Sequence, residues 1–296
     1  MRAACRGPIT TWRVPTIAFA AVALLALLVS GCTPKPAQET LTPKVKPPVI
    51  GKAGVLRAAI DLTYPPFGGV SKGKRAGLDI DVASAVAQEL GLTLEVVDAS
   101  PTLGAQLLRD GKVDVMLGGV PIEQAVQLEV SFAGPYINDA PAIFSANDES
   151  ATMTSIAGAT IGAQQGSLAY WLAAEEWGEE SVVAFPSLVD AMSQAASGTI
   201  EYVVGDGVVG AYMLRQYPTL KLNGQLAPAV PVGVTVAKDA TDLEGAVRDA
   251  LDRLSSAGVL ETLRRKWLGD VPRFQGSADA SAALETTAAV ETSPAP

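Results

Sequence analysis

The chain has 296 residues, of which 31 are acidic, 22 are basic and none is histidine, for a formal charge of -9. An excess of negative charge argues against nucleic acid as a partner. The missing histidine excludes Ser-His-Asp and Cys-His nucleophile systems and the commonest zinc ligand sets.

The N-terminus carries Arg2, Arg6 and Arg13, then an apolar run from Ile17 to Val29 that is too short to span a bilayer stably, then Ser30-Gly31-Cys32. This resembles a bacterial lipoprotein signal, in which lipid is attached to the Cys32 thiol and the preceding peptide is removed. An ordinary cleaved signal peptide is the simpler alternative. Cysteine is rare here, however, and sits where lipidation requires it. The expected location is therefore extracytoplasmic, anchored by lipid to the cell membrane. Removing residues 1–31 takes away three positive charges and no negative ones, moving the formal charge from -9 to -12. Cys5 lies inside the signal, so the exported part has no partner for an internal disulfide.

Residues 32–53 are rich in proline (Pro34, Pro36, Pro43, Pro47, Pro48) and read as an extended tether. Val55 to Ile60 is a short apolar run ending at Asp61, and Tyr64-Pro65-Pro66-Phe67 cannot continue a strand ladder, so a loop follows. From Asp79, suited to cap a helix, Val82, Ala85, Val86 and Leu90 fall at helical spacing until Gly91. Leu92, Leu94 and Val96 then alternate as a strand. Leu103, Leu107 and Leu108 mark a second helix ended by Gly111, and Val113 to Leu117 a buried strand running into Gly118-Gly119.

The same grammar returns with strands at 160–164 and 182–185 and helices at 168–177 and 188–197. Gln106 to Val115 is echoed by Ser193 to Tyr202, both reading helix, glycine, acidic step, strand. Val203-Val204 leads to Asp206, followed by a helix over 208–216. Asp242 to Ser256 has the clearest apolar stripe, and Val259, Leu260, Leu263 and Trp267 extend it to Gly269, where the ordered domain is expected to finish. Residues 275–296 have almost no large apolar side chains and read as a disordered tail. Alternating strands and helices imply α/β layers with largely parallel sheets, and the echo favours two similar halves.

Leu56 to Phe67 resembles the opening of family 3 solute-binding proteins, the amino-acid receptors of bacterial ABC importers. Further matches follow in order: Gly77-Leu78-Asp79-Ile80-Asp81-Val82, Gly111-Lys112-Val113-Asp114, Phe132-Ala133-Gly134-Pro135-Tyr136, Ala159 to Ser167, and Leu260 to Gly269. The resemblance implies a type II periplasmic-binding fold, an α/β architecture of two lobes joined by two hinge strands. By that analogy residues 54–141 and 234–271 form the first lobe and 144–231 the second. Hinges are expected near Ala142-Ile143 and Pro231-Val232, with closure around ligand as a hinge motion.

The resemblance also places ligand-binding residues. Asp61 matches a position near the ligand's polar or cationic part, and Tyr64 the ring covering its aliphatic portion. Asp206 matches the acid that takes an α-ammonium group, with a helix cap as its structural alternative. Gln165 and Ser167, with Gly166, lie in a loop before a helix, suited to a polar or anionic group or to a plain capping turn. Asp61 could equally cap a turn, and Phe67 reads as core. The chain departs from the family where an arginine grips the ligand's α-carboxylate: Val126 stands there, and Pro121 replaces the usual threonine, so that clamp cannot form.

Three readings follow, in order of preference. The ligand is an amino acid whose carboxylate meets backbone amides around Gly119 and Ser167. Or it is a cation without a carboxylate, such as an amine. Or the domain serves as a sensor or interaction module. A dehydratase-like or lyase-like enzyme using Asp61 and Asp206 ranks below these, since no metal cluster, phosphate loop or nucleophile elbow supports it. The expected partners are a small-molecule ligand, an ABC permease and the membrane, in a monomer without cofactor or metal.

Overall fold

A computed structural model describes residues 41–276. The signal segment, Cys32 and residues 277–296 of the expected tail lie outside the described residues.

The strands are β1 (Val55–Ile60), β2 (Gly69–Ser71), β3 (Lys74–Ala76), β4 (Thr93–Asp98), β5 (Val115–Met116), β6 (Ser131–Asp139), β7 (Pro141–Ser145), β8 (Ile161–Gln164), β9 (Val182–Phe185), β10 (Tyr202–Asp206), β11 (Lys221–Gln225) and β12 (Val230–Val236). The helices are α1 (Leu78–Glu89), α2 (Pro101–Arg109), α3 (Ile122–Gln127), α4 (Leu168–Trp177), α5 (Leu188–Ala196), α6 (Gly207–Met213), α7 (Thr241–Ser256) and α8 (Val259–Leu268).

Ten of the strands form two five-stranded sheets, ordered β4-β1-β5-β12-β6 and β11-β7-β10-β8-β9. In the first, β1 runs parallel to β4 and β5, while β12 is antiparallel to β5 and β6. In the second, β8 runs parallel to β9 and β10, while β7 is antiparallel to β10 and β11. Each half is therefore three parallel strands linked by helices, closed by two strands of mixed direction. The echoed segments occupy equivalent places, α2 leading to β5 and α5 leading to β10.

Local chemistry accounts for the helix boundaries. Pro101 opens α2, and the Ser100 hydroxyl oxygen accepts from the Leu103 amide. Ser167 and Ser187 cap α4 and α5 in the same way. Leu243, Val247, Ala250, Leu251 and Leu254 of α7 share one buried face against the first sheet's core. Asp114 fixes the parallel register: its carboxylate accepts from the Arg57 backbone amide at 2.8 Å, from Arg57 Nε and Nη2 at 3.0 and 2.8 Å, and from the Gly51 amide at 2.8 Å. This two-pronged pair, nearly dry on the Asp114 side, ties β1 to the entry of β5.

Several boundaries depart from expectation. Asp79 does not cap α1; Gly77 does, and Asp79 lies fully buried in the first turn. The hairpin β2–β3 and helix α3 have no strong periodic signal and went unread. The expected tether is not wholly solvated: Ile50 is buried in the main core, with Val45 and Val49 packed against it, because apolar side chains between the prolines find a surface beside β1 and α1. The expected hinge positions, by contrast, lie on strands as the resemblance implies, Ala142-Ile143 on β7 and Pro231-Val232 on β12. The chain passes between sheets at Ala140 and over residues 226–229.

The ordered part also continues past Gly269. Phe274 is buried against Gly207 and Ala140, where a Cβ on Gly207 would lie 2.4 Å from the ring. Gln275 exchanges hydrogen bonds with Gln225, and its carbonyl accepts from the Ala229 amide at 2.8 Å. The segment after α8 thus straps both passages. Phe274→Ala is expected to lower unfolding free energy by about 3 kcal/mol in urea denaturation; an unchanged midpoint would mean that the strap contributes nothing.

Candidate functional site

Parallel strands deliver their following loops to one edge of a sheet, and that is where every candidate residue lies. In the first sheet Ala59 stands opposite Met116, so the loops after β1 and β5, carrying Asp61–Tyr64 and Gly118-Gly119, emerge side by side. In the second, Val204 stands opposite Ala163, so Asp206 and the Gln165–Ser167 loop do the same.

Asp61 folds its own loop: Oδ1 accepts from the Thr63 amide at 2.8 Å and the Thr63 hydroxyl at 2.6 Å. Its Oδ2 has no hydrogen-bond partner among the described residues. Tyr64 stacks on Phe67 with ring centroids 5.3 Å apart, and Phe67 is core, 1% exposed. Gly119 lies under both rings with φ of 64°; a Cβ there would come within 3.1 Å of each.

The Tyr64 hydroxyl donates to Asp206 Oδ2 at 3.2 Å, joining the loops of the two sheets. Asp206 also caps α6, its Oδ1 accepting from the Val209 amide at 2.8 Å. Next to it stands Asp139, at the end of β6, whose Oδ1 accepts from the Ala140 and Val208 amides at 2.8 and 3.0 Å. The two carboxyl groups thus hang from successive amides at the start of one helix.

Both acids are pushed upward from the usual carboxylate range. Burial is the main cause for each; for Asp139 the charge of Asp206 adds to it, while for Asp206 the Val209 amide and the Tyr64 hydroxyl pull the other way. Adjoining carboxyl groups with no intervening cation favour retaining one proton between them. Burial also raises the Tyr64 phenol, followed by the charges of Asp206 and Asp139, so the phenol stays a donor. Behind this group Asp79 accepts from the Tyr136 hydroxyl and from the Gly119 amide at 3.3 Å. Burial lifts Asp79 to about 7 against the pull of those donors.

The amides expected to receive a carboxylate are already engaged. Gly119 donates to Asp79, Ser167 N–H to the Gln164 carbonyl at 3.1 Å, and Gln165 N–H to the Phe185 carbonyl at 2.9 Å. The Ser167 hydroxyl oxygen accepts from the Tyr170 amide, so this loop is a capping turn. Gln165 is exposed and makes no bond to Asp61, Tyr64 or Asp206 among the described residues. Val126 is 74% exposed on α3, and Pro121 precedes that helix. Among the described residues no lysine or arginine side chain bonds Asp61, Asp79, Asp139 or Asp206. Nor does any group of three metal-ligating side chains occur among them, and no helix there is long and apolar enough to cross a membrane.

Of the six residues expected at the site, the structure joins Tyr64 to Asp206 and Gly119, with Asp61 in the Tyr64 loop, and gives Gln165 and Ser167 no bond to them among the described residues. Sequence reading missed Asp139 and the Asp79–Tyr136 pair. Asp139 lies three residues after Tyr136 of the Pro135-Tyr136 motif, and that proximity was the only signal in the sequence.

A model of the bacterial extracellular solute-binding proteins, family 3, matches residues 56–270. The chain belongs to that family. Among solved structures, an ancestral cationic amino acid solute-binding protein is 25% identical, covering 73% of this chain and 96% of its own, with a TM-score of 0.65. The family 3 chain therefore has the type II periplasmic-binding fold. The arginine-binding periplasmic protein of Mannheimia haemolytica is 25% identical over 213 residues, 70% of this chain and 88% of its own length. The cyclohexadienyl dehydratase of Pseudomonas aeruginosa is 27% identical over 209 residues, 68% of this chain and 74% of its own.

The buried acid gives a pH-dependent stability. Asp79 binds its proton more tightly folded than unfolded, so stability is expected to fall as pH rises from about 4 to about 7 and to level off above. Urea unfolding across that range should show Asp79→Asn gaining on the parent as pH rises. A constant difference between the two would contradict the raised value.

Proposed function

We propose that this family 3 protein is an extracytoplasmic receptor that captures a small cationic solute, a basic amino acid or an amine, between its two halves and presents it to an ABC permease. In this reading the halves are the segments of the first and second sheets, and the passages at Ala140 and residues 226–229 act as hinges. Cys32 carries the lipid anchor; each buried methylene of an acyl chain contributes about 0.8 kcal/mol, enough with several chains to hold a soluble domain at a membrane.

One observation carries the choice of ligand charge. Asp206 and Asp139 lie against Tyr64, and Asp61 stands three residues before it in the same loop, with no basic side chain among their bonded partners in the described residues, a potential that favours a cation and opposes an anion. The Tyr64 ring face adds attraction for an ammonium or guanidinium group. The names of the arginine-binding and cationic amino-acid-binding relatives point the same way.

A second reading, a dehydratase-like enzyme, draws on the Pseudomonas relative and on the adjoining Asp139 and Asp206, which could act as acid and base. Turnover of a bound solute, abolished in Asp206→Asn, would favour it.

Binding to the folded form raises the melting temperature. A thermal-shift panel is expected to give upward shifts with cationic solutes and none with acidic amino acids such as glutamate. Asp206→Asn should weaken the best ligand by about 1.5 to 3 kcal/mol, roughly tenfold or more. Shifts with acidic solutes alone would sink the proposal. Separately, Cys32→Ser is expected to move the protein from the membrane fraction to the soluble fraction; continued sedimentation with membranes would remove Cys32 as the anchor.

A further inference from the structure

In the cationic-solute reading the acids beside Tyr64 take one end of the ligand, and the helices that start at the same sheet edges carry exposed apolar side chains. Helices α2, α3, α4 and α5 all begin at the strand edges that carry the acids, following β4, β5, β8 and β9. Those helix starts leave large apolar side chains in solvent: Leu103 and Ile122 on the first half, Leu168, Trp171 and Val189 on the second, with Val126 further along α3. Leu168 is 65% exposed and Trp171 53%. Exposed apolar side chains scattered singly need no explanation, but here they gather at one edge of each sheet, the edges where this fold takes its ligand.

The groups expected to hold a carboxylate there are missing or already engaged. Val126 and Pro121 supply no side-chain donor, and the amides of Gly119 and Ser167 are engaged within the protein. A carboxylate brought against these side chains would lose its water without gaining donors from them. An apolar body would instead cover Val126 and its neighbours. We propose that the ligand is an amine without a carboxylate, carrying an aromatic or aliphatic body: its ammonium meets the acids around Tyr64, and its body lies against the apolar rim. This rests on the cationic-solute reading above and narrows it.

The test uses matched pairs that differ only by the carboxylate: phenylalanine with phenethylamine, tyrosine with tyramine, arginine with agmatine. Isothermal titration of the full-length protein is expected to show at least one of phenethylamine, tyramine and agmatine binding about tenfold or more tighter than its parent amino acid. Val126→Arg, which installs the bidentate fork, should narrow or reverse the preference within a pair. Val126→Gln, a neutral polar control, should leave it standing. Tighter binding of arginine than of any of these amines would overturn the inference and leave the cationic-solute reading intact. No binding by any member of the series would overturn both, as would binding of acidic amino acids alone.

Discussion

The hydroxyl of Tyr64 reaches the carboxylate of Asp206 across 142 residues of sequence, and this one bond joins the loops of two separate sheets. Its geometry depends on much else. Tyr64 is held by its stack on Phe67, Phe67 by the core, and both rings by a glycine at 119 that leaves room for them. Asp206 is held by the amide of Val209 and crowded by Asp139, itself fixed where the chain leaves the first sheet. At this contact between halves a phenol donor meets one acid of an adjoining pair, at the place where, in the proposed reading, a solute's cation would compete for the same oxygens.

Hydrogen bonding within the protein explains why these carboxyl groups are tolerated. An unpaired buried charge is costly, and each acid here is supported by backbone amides or by a phenol. Asp139 and Asp206 lean on the start of α6, and Asp79 on Tyr136 and Gly119. Among the described residues none has a basic partner, in contrast to Asp114, whose charge is met by the two-pronged Arg57. The protein therefore separates two kinds of carboxylate: one closed by an internal cation and serving register, and a group without an internal counter-charge among the described residues.

Much of the fold was legible because the parallel strands and the long helices carry strong patterns. Val55–Ile60, Leu168–Trp177 and Val182–Phe185 match expectation residue for residue, since each is bounded by an unmistakable breaker or cap. Short elements without a period, such as α3 and the β2–β3 hairpin, left no such mark. The strap at Phe274 was missed for a different reason: a single aromatic beyond the last helix gains meaning only once Gly207 and Ala140 are seen to leave a hollow for it. Asp79 was misread because a helix-starting acid looks the same in sequence whether it caps the helix or is buried beneath it. At the site, Tyr64 and Asp206 could be paired by family resemblance, whereas the occupied amides of Gly119 and Ser167 could not, since backbone hydrogen bonding across loops leaves no trace in residue type.

The central claim is that an acid-ringed site lacking an internal counter-charge receives a cation. A crystal structure of the protein with the solute that copurifies with it tests this most directly. The account predicts a ligand nitrogen within about 3 Å of an Asp206 carboxylate oxygen, a charge-assisted bond, with the Tyr64 ring against the ligand. A ligand bound through an anionic group, or one lodged away from Asp61, Tyr64 and Asp206, would contradict it.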